Sequence, residues 1–173
     1  MTSQVMRVAV PRRSWRLPRT VVIVDSVPRY TRTEGQNMNP TYTGVATSSG
    51  RDARAVSSDG RLDVQLALPK EMGGTGDGVN PEQLFAAGWA ACFSTTMGLI
   101  AQSRGLDAKD VAVTAEVSLV PTGPGFTLAA TLRAELPEHL AGDTGKTLLE
   151  ATHRSCPYSL ATQGNVPVEI VVE

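Results

Sequence analysis

Asn80-Pro81-Glu82-Gln83-Leu84-Phe85-Ala86-Ala87-Gly88-Trp89-Ala90-Ala91-Cys92-Phe93 is the stretch that decides how this chain folds. Asn is a favoured helix N-cap and Pro is favoured at the first helical position, so a helix is expected to start here. It is predicted to run to about Arg104, where Gly105 stops it. Between Leu84 and Cys92 there is no charge, and Ala86, Ala87, Gly88, Ala90 and Ala91 dominate. A surface helix carries a polar face, so this one is predicted to be buried nearly all round, with another backbone close to its small residues. Gln83, Ser94, Thr95, Thr96 and Gln102 interrupt the apolar run and argue against a membrane span.

Strands are expected on both sides of that helix. Residues 42–47 and 51–57 are short candidates around Ser48-Ser49-Gly50. Ser58-Asp59-Gly60-Arg61 reads as a hairpin with a type I′ turn, and Leu62, Val64, Leu66 and Leu68 then alternate with polar residues. A Gly-rich loop, 72–79, leads into the helix. Beyond it, Val111, Val113, Ala115, Val117 and Leu119 share one face of a long strand. After the turn Pro121-Thr122-Gly123-Pro124-Gly125, Phe126, Leu128, Ala130 and Leu132 do the same. A second helix fits 138–155 and ends at Cys156-Pro157, because the residue before proline is pushed out of helical geometry. Val166, Val168, Ile170 and Val172 read as a closing strand. The order β-β-β-α-β-β-α-β predicts one α+β domain with antiparallel sheets and two core helices.

With 173 residues, 41% hydrophobic and 19% charged, the composition is that of a soluble globular chain. A net charge of −1 points neither to nucleic acid nor to an anionic membrane. Charge is unevenly spread. Residues 1–37 hold seven arginines and two acids, a net of +5, whereas the rest has a net of −6. This basic stretch shows no secretory pattern and no run long enough to span a bilayer. An organelle transit peptide is the rival reading; the preferred one is an upstream extension, partly flexible, with Met38 as the usual start and 38–173 as the folded domain.

Only two cysteines occur, Cys92 and Cys156, 64 positions apart. Without a secretory signal they fit a reducing, cytoplasmic setting, where a disulfide is transient rather than structural. Two buried inert thiols fit equally well at this point. Pairing them requires the two helices to bring their Cα atoms within about 7 Å. A reactive thiol must ionise, and burial opposes that, so a nearby cation is needed. Arg51 or Arg54 could supply it, although either can equally be a solvated loop charge. His139 and His153 read as surface helix residues, and their spacing with the cysteines is not that of a zinc site.

The stretch 80–93 closely resembles the signature of the organic hydroperoxide resistance proteins, the Ohr branch of the OsmC/Ohr family. Three further segments agree: Gly50-Arg51-Asp52-Ala53-Arg54-Ala55-Val56-Ser57-Ser58-Asp59-Gly60, Pro69-Lys70-Glu71-Met72-Gly73-Gly74 and Cys156-Pro157-Tyr158-Ser159. The resemblance covers about residues 40–173. It implies an OsmC-like fold, an intertwined homodimer with sites at the subunit interface, and reduction of organic and fatty-acid hydroperoxides. It assigns Cys92 as the peroxidatic thiol, Cys156 as the resolving thiol, and Arg51 with Glu82 as the pair that activates Cys92. It implies no metal, haem or flavin, and an external dithiol reductant, dihydrolipoyl groups on lipoylated proteins.

Helix geometry adds a condition. Glu82 precedes Cys92 by ten residues, which a straight helix turns into about 15 Å. Either the helix breaks near Gly88 or a second subunit completes the site. Leu160 and Gln163 stand where the family commonly has Asn and Arg, and Trp89 where Tyr is more usual. Phe93, Met97 and Leu84 are expected to give the site apolar surroundings suited to bulky hydroperoxides. Two other readings are a broader-specificity OsmC-type peroxidase and a non-catalytic module that binds an apolar ligand.

Overall fold

The computed structural model describes residues 39–50 and 52–173; Arg51 and the basic segment 1–37, with its boundary at Met38, lie outside the described residues. The central helix α1 spans Pro81–Ser103 without interruption. Its start is as expected. The Asn80 side chain accepts from the Gln83 N–H at 2.8 Å, and the Gln83 side chain accepts from the Asn80 N–H at 2.9 Å. This reciprocal capping box satisfies two donors at the helix start. At the other end Gly105, at φ 69°, takes the left-handed conformation that stops the helix.

The expected all-round burial is not observed. Trp89, Phe93, Met97 and Ala101 are buried, four residues apart along one face, as a 3.6-residue period requires. Ala87, Ala91, Thr95 and Leu99 are exposed, Leu99 at 63%. By length and composition α1 could cross a membrane, but its Trp89–Ala101 stripe belongs to the hydrophobic core and packs on a sheet and two further helices. The uncharged stretch from Leu84 to Cys92 satisfies the pattern of full burial, yet the rest of the described residues cover only one face of the helix.

The larger sheet holds β4 (Ala112–Thr122), β5 (Gly125–Glu135) and β6 (Val168–Val172) in that order. Strands β4 and β5 form an antiparallel hairpin closed at Thr122 and Gly125. Strand β6 lies parallel to β5, pairing Ala130 with Val168 through Ala134 with Val172. The sheet is therefore mixed rather than antiparallel throughout. After β5 the chain crosses over through two helices before returning, and a crossover of that length permits parallel pairing. Ala130, Leu132 and Ala134 turn inward, while Arg133 on the other face binds Glu116 and Glu173.

The smaller sheet comprises β1 (Ala46–Ser48), β2 (Arg54–Ser57) and β3 (Asp63–Gln65), all antiparallel. Its hairpin occurs where predicted, with a different turn. Gly60 has φ 71° and no described non-glycine residue has a positive φ, so Asp59 cannot form a type I′ turn. Instead the Gly60 N–H donates to the Ser57 carbonyl at 2.9 Å, and only Gly60 is left-handed. Strand β1 is exposed along its length, and Tyr42, Val45 and Leu62 nearby are exposed apolar residues.

The second predicted helix divides. Glu138–Leu140 form a single tight turn, Gly142 at φ 72° breaks the chain direction, and α2 then spans Asp143–Ser155. Cys156 is extended, and Pro157 opens a further short helix, α3, over Pro157–Thr162. The proline that ends one helix sits at the first position of the next, where its missing N–H costs nothing. There are thus three helices, not two: α1 packs on β4 of the larger sheet, and α2 and α3 pack on α1 and on each other.

Candidate active site: the cysteine pair

Cys92 lies at the middle of α1 and is half-buried; Cys156 sits at the joint between α2 and α3 and is wholly buried. Because α1 packs on both α2 and α3, residues 64 positions apart meet. The two sulfurs are 3.3 Å apart, within hydrogen-bond distance of each other, and both thiols are free. A disulfide needs about 2.05 Å, so the pair is in contact and reduced.

Burial pushes the Cys92 thiol above its ordinary value, and the Cys156 thiol beside it adds to the rise. Against this, the Tyr158 backbone N–H donates to the sulfur, as does the Thr96 hydroxyl more weakly. Thr96 has one proton for two acceptors, because its hydroxyl also lies 2.8 Å from the Cys92 carbonyl oxygen. The described environment therefore leaves Cys92 short of a cation.

The structure separates the candidate cations. Arg54 is engaged with Asp63 across β2 and β3, its Nε 2.9 Å from the carboxylate, on an exposed surface. Arg51 lies outside the described residues. Glu82 occupies the first turn of α1, half-buried, ten residues from Cys92 along an unbroken helix, and so about 15 Å away. No break occurs at Gly88, which removes the first of the two alternatives, that a broken helix brings Glu82 to its own Cys92.

Phe93 and Met97 do not line the site; both are buried in the core stripe. An apolar cleft of 440 Å³ lies instead beside Tyr158, walled by Phe85, Leu128, Pro157 and Val166. His139 meets the surface expectation, its Nε2 2.8 Å from the Asp107 carbonyl oxygen. His153 does not: it is half-buried, and its Nδ1 has no partner among the described residues.

Sequence reasoning missed the residues that join α3 to α1. The Trp89 indole N–H donates to the Ser159 hydroxyl at 3.2 Å, with both residues buried. The Tyr158 ring rests edge-on against Phe85, centroids 5.6 Å apart. The only signal for either was the position of Tyr158 and Ser159 directly after Cys156-Pro157.

A family model described as OsmC-like protein matches residues 74–171, which include both cysteines and all three helices. The chain belongs to the OsmC-like family. An organic hydroperoxide resistance protein from Xanthomonas axonopodis pv. citri is 42% identical over 134 residues, covering 76% of this chain and 94% of that one. Among solved structures, an organic hydroperoxide resistance protein from Legionella pneumophila superposes with a TM-score of 0.74 at 39% identity, over 78% of this chain and 99% of that one. The organic hydroperoxide resistance protein OhrB of Bacillus subtilis superposes at 0.69 with 36% identity, over 76% and 98%. The resemblance expected from four short segments thus extends over the whole OsmC-like domain. Within that domain the arrangement offers a thiol in partial contact with solvent, backed by a second, buried thiol.

Proposed function

We propose that this chain is a thiol peroxidase that reduces organic hydroperoxides to alcohols and serves oxidative-stress defence. The observation that carries the reading is the pair of free thiols in contact at 3.3 Å, set in an OsmC-like domain whose relatives include organic hydroperoxide resistance proteins. In this reading the Cys92 thiolate attacks the distal oxygen of the hydroperoxide, the O–O bond breaks, and the alkoxide leaves as alcohol after taking a proton. Cys92 becomes a sulfenic acid. Cys156 then attacks the Cys92 sulfur, forming a disulfide and releasing water. An external dithiol, such as the dihydrolipoyl group of a lipoylated protein, reopens that bond by exchange.

Cys92 carries the chemistry and Cys156 resolves it. Arg51 supplies the charge that the described surroundings of Cys92 lack, with Glu82 orienting it. No metal, haem or flavin is needed. Since α1 is unbroken, the carboxylate that serves each site comes from Glu82 of a second copy, in a homodimer. The exposed apolar face of α1 and the sparsely covered strands β1–β3 support such a dimer. The apolar cleft beside Tyr158 supports a bulky substrate over hydrogen peroxide. A reducing compartment, the cytoplasm, suits the two free thiols.

The test is turnover of cumene hydroperoxide by the reduced protein with dihydrolipoamide. Turnover is expected in the unmodified chain, lost in Cys92→Ser, and slower with hydrogen peroxide. Normal turnover by Cys92→Ser overturns the assignment. Retention of both thiols after exposure to hydroperoxide supports an apolar-ligand-binding module instead.

A further inference from the structure

Residues 156–159 are held to α1 by two consecutive grips. Ser159 accepts the Trp89 indole N–H at 3.2 Å, and both side chains are out of reach of solvent. A buried indole N–H has no water to turn to, so Ser159 is tied to the place where the indole points. Tyr158 lies in the notch at Gly88, where an added Cβ would come within 2.8 Å of its hydroxyl oxygen and 3.2 Å of the ring. Phe85 closes this notch, with its ring edge-on to both Tyr158 and Trp89 at centroid separations of 5.6 Å. The grips fall at residues 85, 88 and 89 of α1, within two turns of Cys92.

Helix α3 has six residues and no side-chain cap at its start, too short a helix to hold its own position without tertiary contacts. Cys156 precedes it in an extended conformation, φ −67° and ψ 123°; its N–H donates to the Thr152 carbonyl oxygen at 2.8 Å and its own carbonyl accepts from the Leu160 N–H at 2.9 Å, so it is tied to the end of α2 and to α3 alike. Cys156 therefore moves with the start of α3, and the contacts that hold α3 against α1 help to set where its sulfur rests.

We propose that Trp89, Ser159 and Tyr158 are positioning residues for disulfide formation, holding the start of α3 against α1 so that Cys156 stays in contact with Cys92. The proposal rests on the peroxidase reading. In the step concerned, the Cys156 sulfur bonds to the Cys92 sulfur, the S–O bond of the sulfenic acid breaks, and the departing hydroxide takes a proton to leave as water. The competing step is attack of the sulfenic acid on a second hydroperoxide, giving sulfinic acid and a second alcohol. Whichever is faster decides whether Cys92 survives. A clamp that keeps the sulfurs at 3.3 Å favours the first.

The experiment measures that partition. The reduced full-length chain, Ser159→Ala, Trp89→Phe and the double variant are exposed to a series of cumene hydroperoxide concentrations. Mass spectrometry then reads disulfide against sulfinic acid at Cys92. In each single variant the concentration that converts half of Cys92 to sulfinic acid is expected to fall about three- to tenfold, the scale of one hydrogen bond. The double variant is expected to fall no further than the more affected single, since one shared bond is lost. A partition equal to that of the unmodified chain overturns the proposal, even if the melting temperature drops, because a merely structural role lowers stability without moving this ratio. Additive effects in the double variant overturn it as well. Should Trp89→Phe fail to fold, Ser159→Ala, which removes one oxygen atom, decides alone. If Cys92 in the unmodified chain shows no oxidised form at any concentration, it is the peroxidase reading that fails, and the clamp falls with it.

Discussion

The sulfur of Cys92 lies 3.3 Å from that of Cys156, although 64 residues separate them in the chain. Contact in the reduced state means that no large movement need precede disulfide formation. One equivalent of cumene hydroperoxide is therefore expected to remove both thiols together, as counted with a thiol reagent. In Cys156→Ser only the Cys92 thiol is expected to be lost, and excess hydroperoxide should carry it to sulfinic acid. Loss of one thiol per equivalent in the unmodified chain would contradict the pairing.

The pH dependence of Cys92 follows from its neighbours. Burial raises the thiol, and contact with Cys156 raises it further, while the Tyr158 N–H and the Thr96 hydroxyl lower it. Only the thiolate reacts, so the rate of alkylation climbs with pH until Cys92 is fully ionised. Cys156→Ala removes a contribution that disfavours the anion and leaves the Tyr158 N–H in place. The alkylation profile of Cys92 is expected to move to lower pH in that variant. A profile that stays put or moves upward counts against the contact as the cause.

The central helix was legible in the sequence at both ends, because Asn80-Pro81-Glu82-Gln83 and Arg104-Gly105 act through local backbone chemistry. The β4–β5 hairpin was legible for a similar reason: alternation on each side of Gly123-Pro124 needs no distant partner. Three features escaped. The direction of β6 depends on the path of a crossover and not on its own residues. The helix α3 was hidden because Pro157 serves at once as terminator and as first residue. One-sided burial of α1 could not be read, since an uncharged stretch such as Leu84 to Cys92 looks the same whether its cover comes from its own chain or from another. At the site, Cys92 and Glu82 were nameable from one segment and Cys156 from another, whereas the Trp89–Ser159 bond joins residues 70 positions apart and depends on packing.

Gly145 provides a test of the α2 packing that leaves the cysteines alone. It is buried in the first turns of the helix, and a Cβ there would strike the Leu140 carbonyl oxygen and the end of the Leu136 side chain. Gly145→Ala gains up to about 1 kcal/mol of helix propensity. Overpacking against a backbone atom costs more, so a net destabilisation of about 2 kcal/mol is expected. Urea unfolding measures it, and a variant as stable as the parent would show that the Glu138–Leu140 turn yields easily.

Leu99 tests whether a second copy covers α1. It stands seven residues beyond Cys92, two turns along the same helical face, and is 63% exposed. Leaving a leucine in water forgoes stabilisation of about 2 kcal/mol that burial would supply. A two-fold interface repeats every contact, so Leu99→Glu would introduce two carboxylates into it. In one described chain the side chain already faces solvent, hence the charge is not expected to disturb the domain itself. Sedimentation should show a dimer for the parent and monomers for Leu99→Glu, with unchanged helix content by circular dichroism. If each site depends on Glu82 of the other copy, hydroperoxide turnover must fall with dimer content and recover at protein concentrations that restore it. A monomeric variant with full turnover would show that one chain holds a complete site, and would place the activating residues within it.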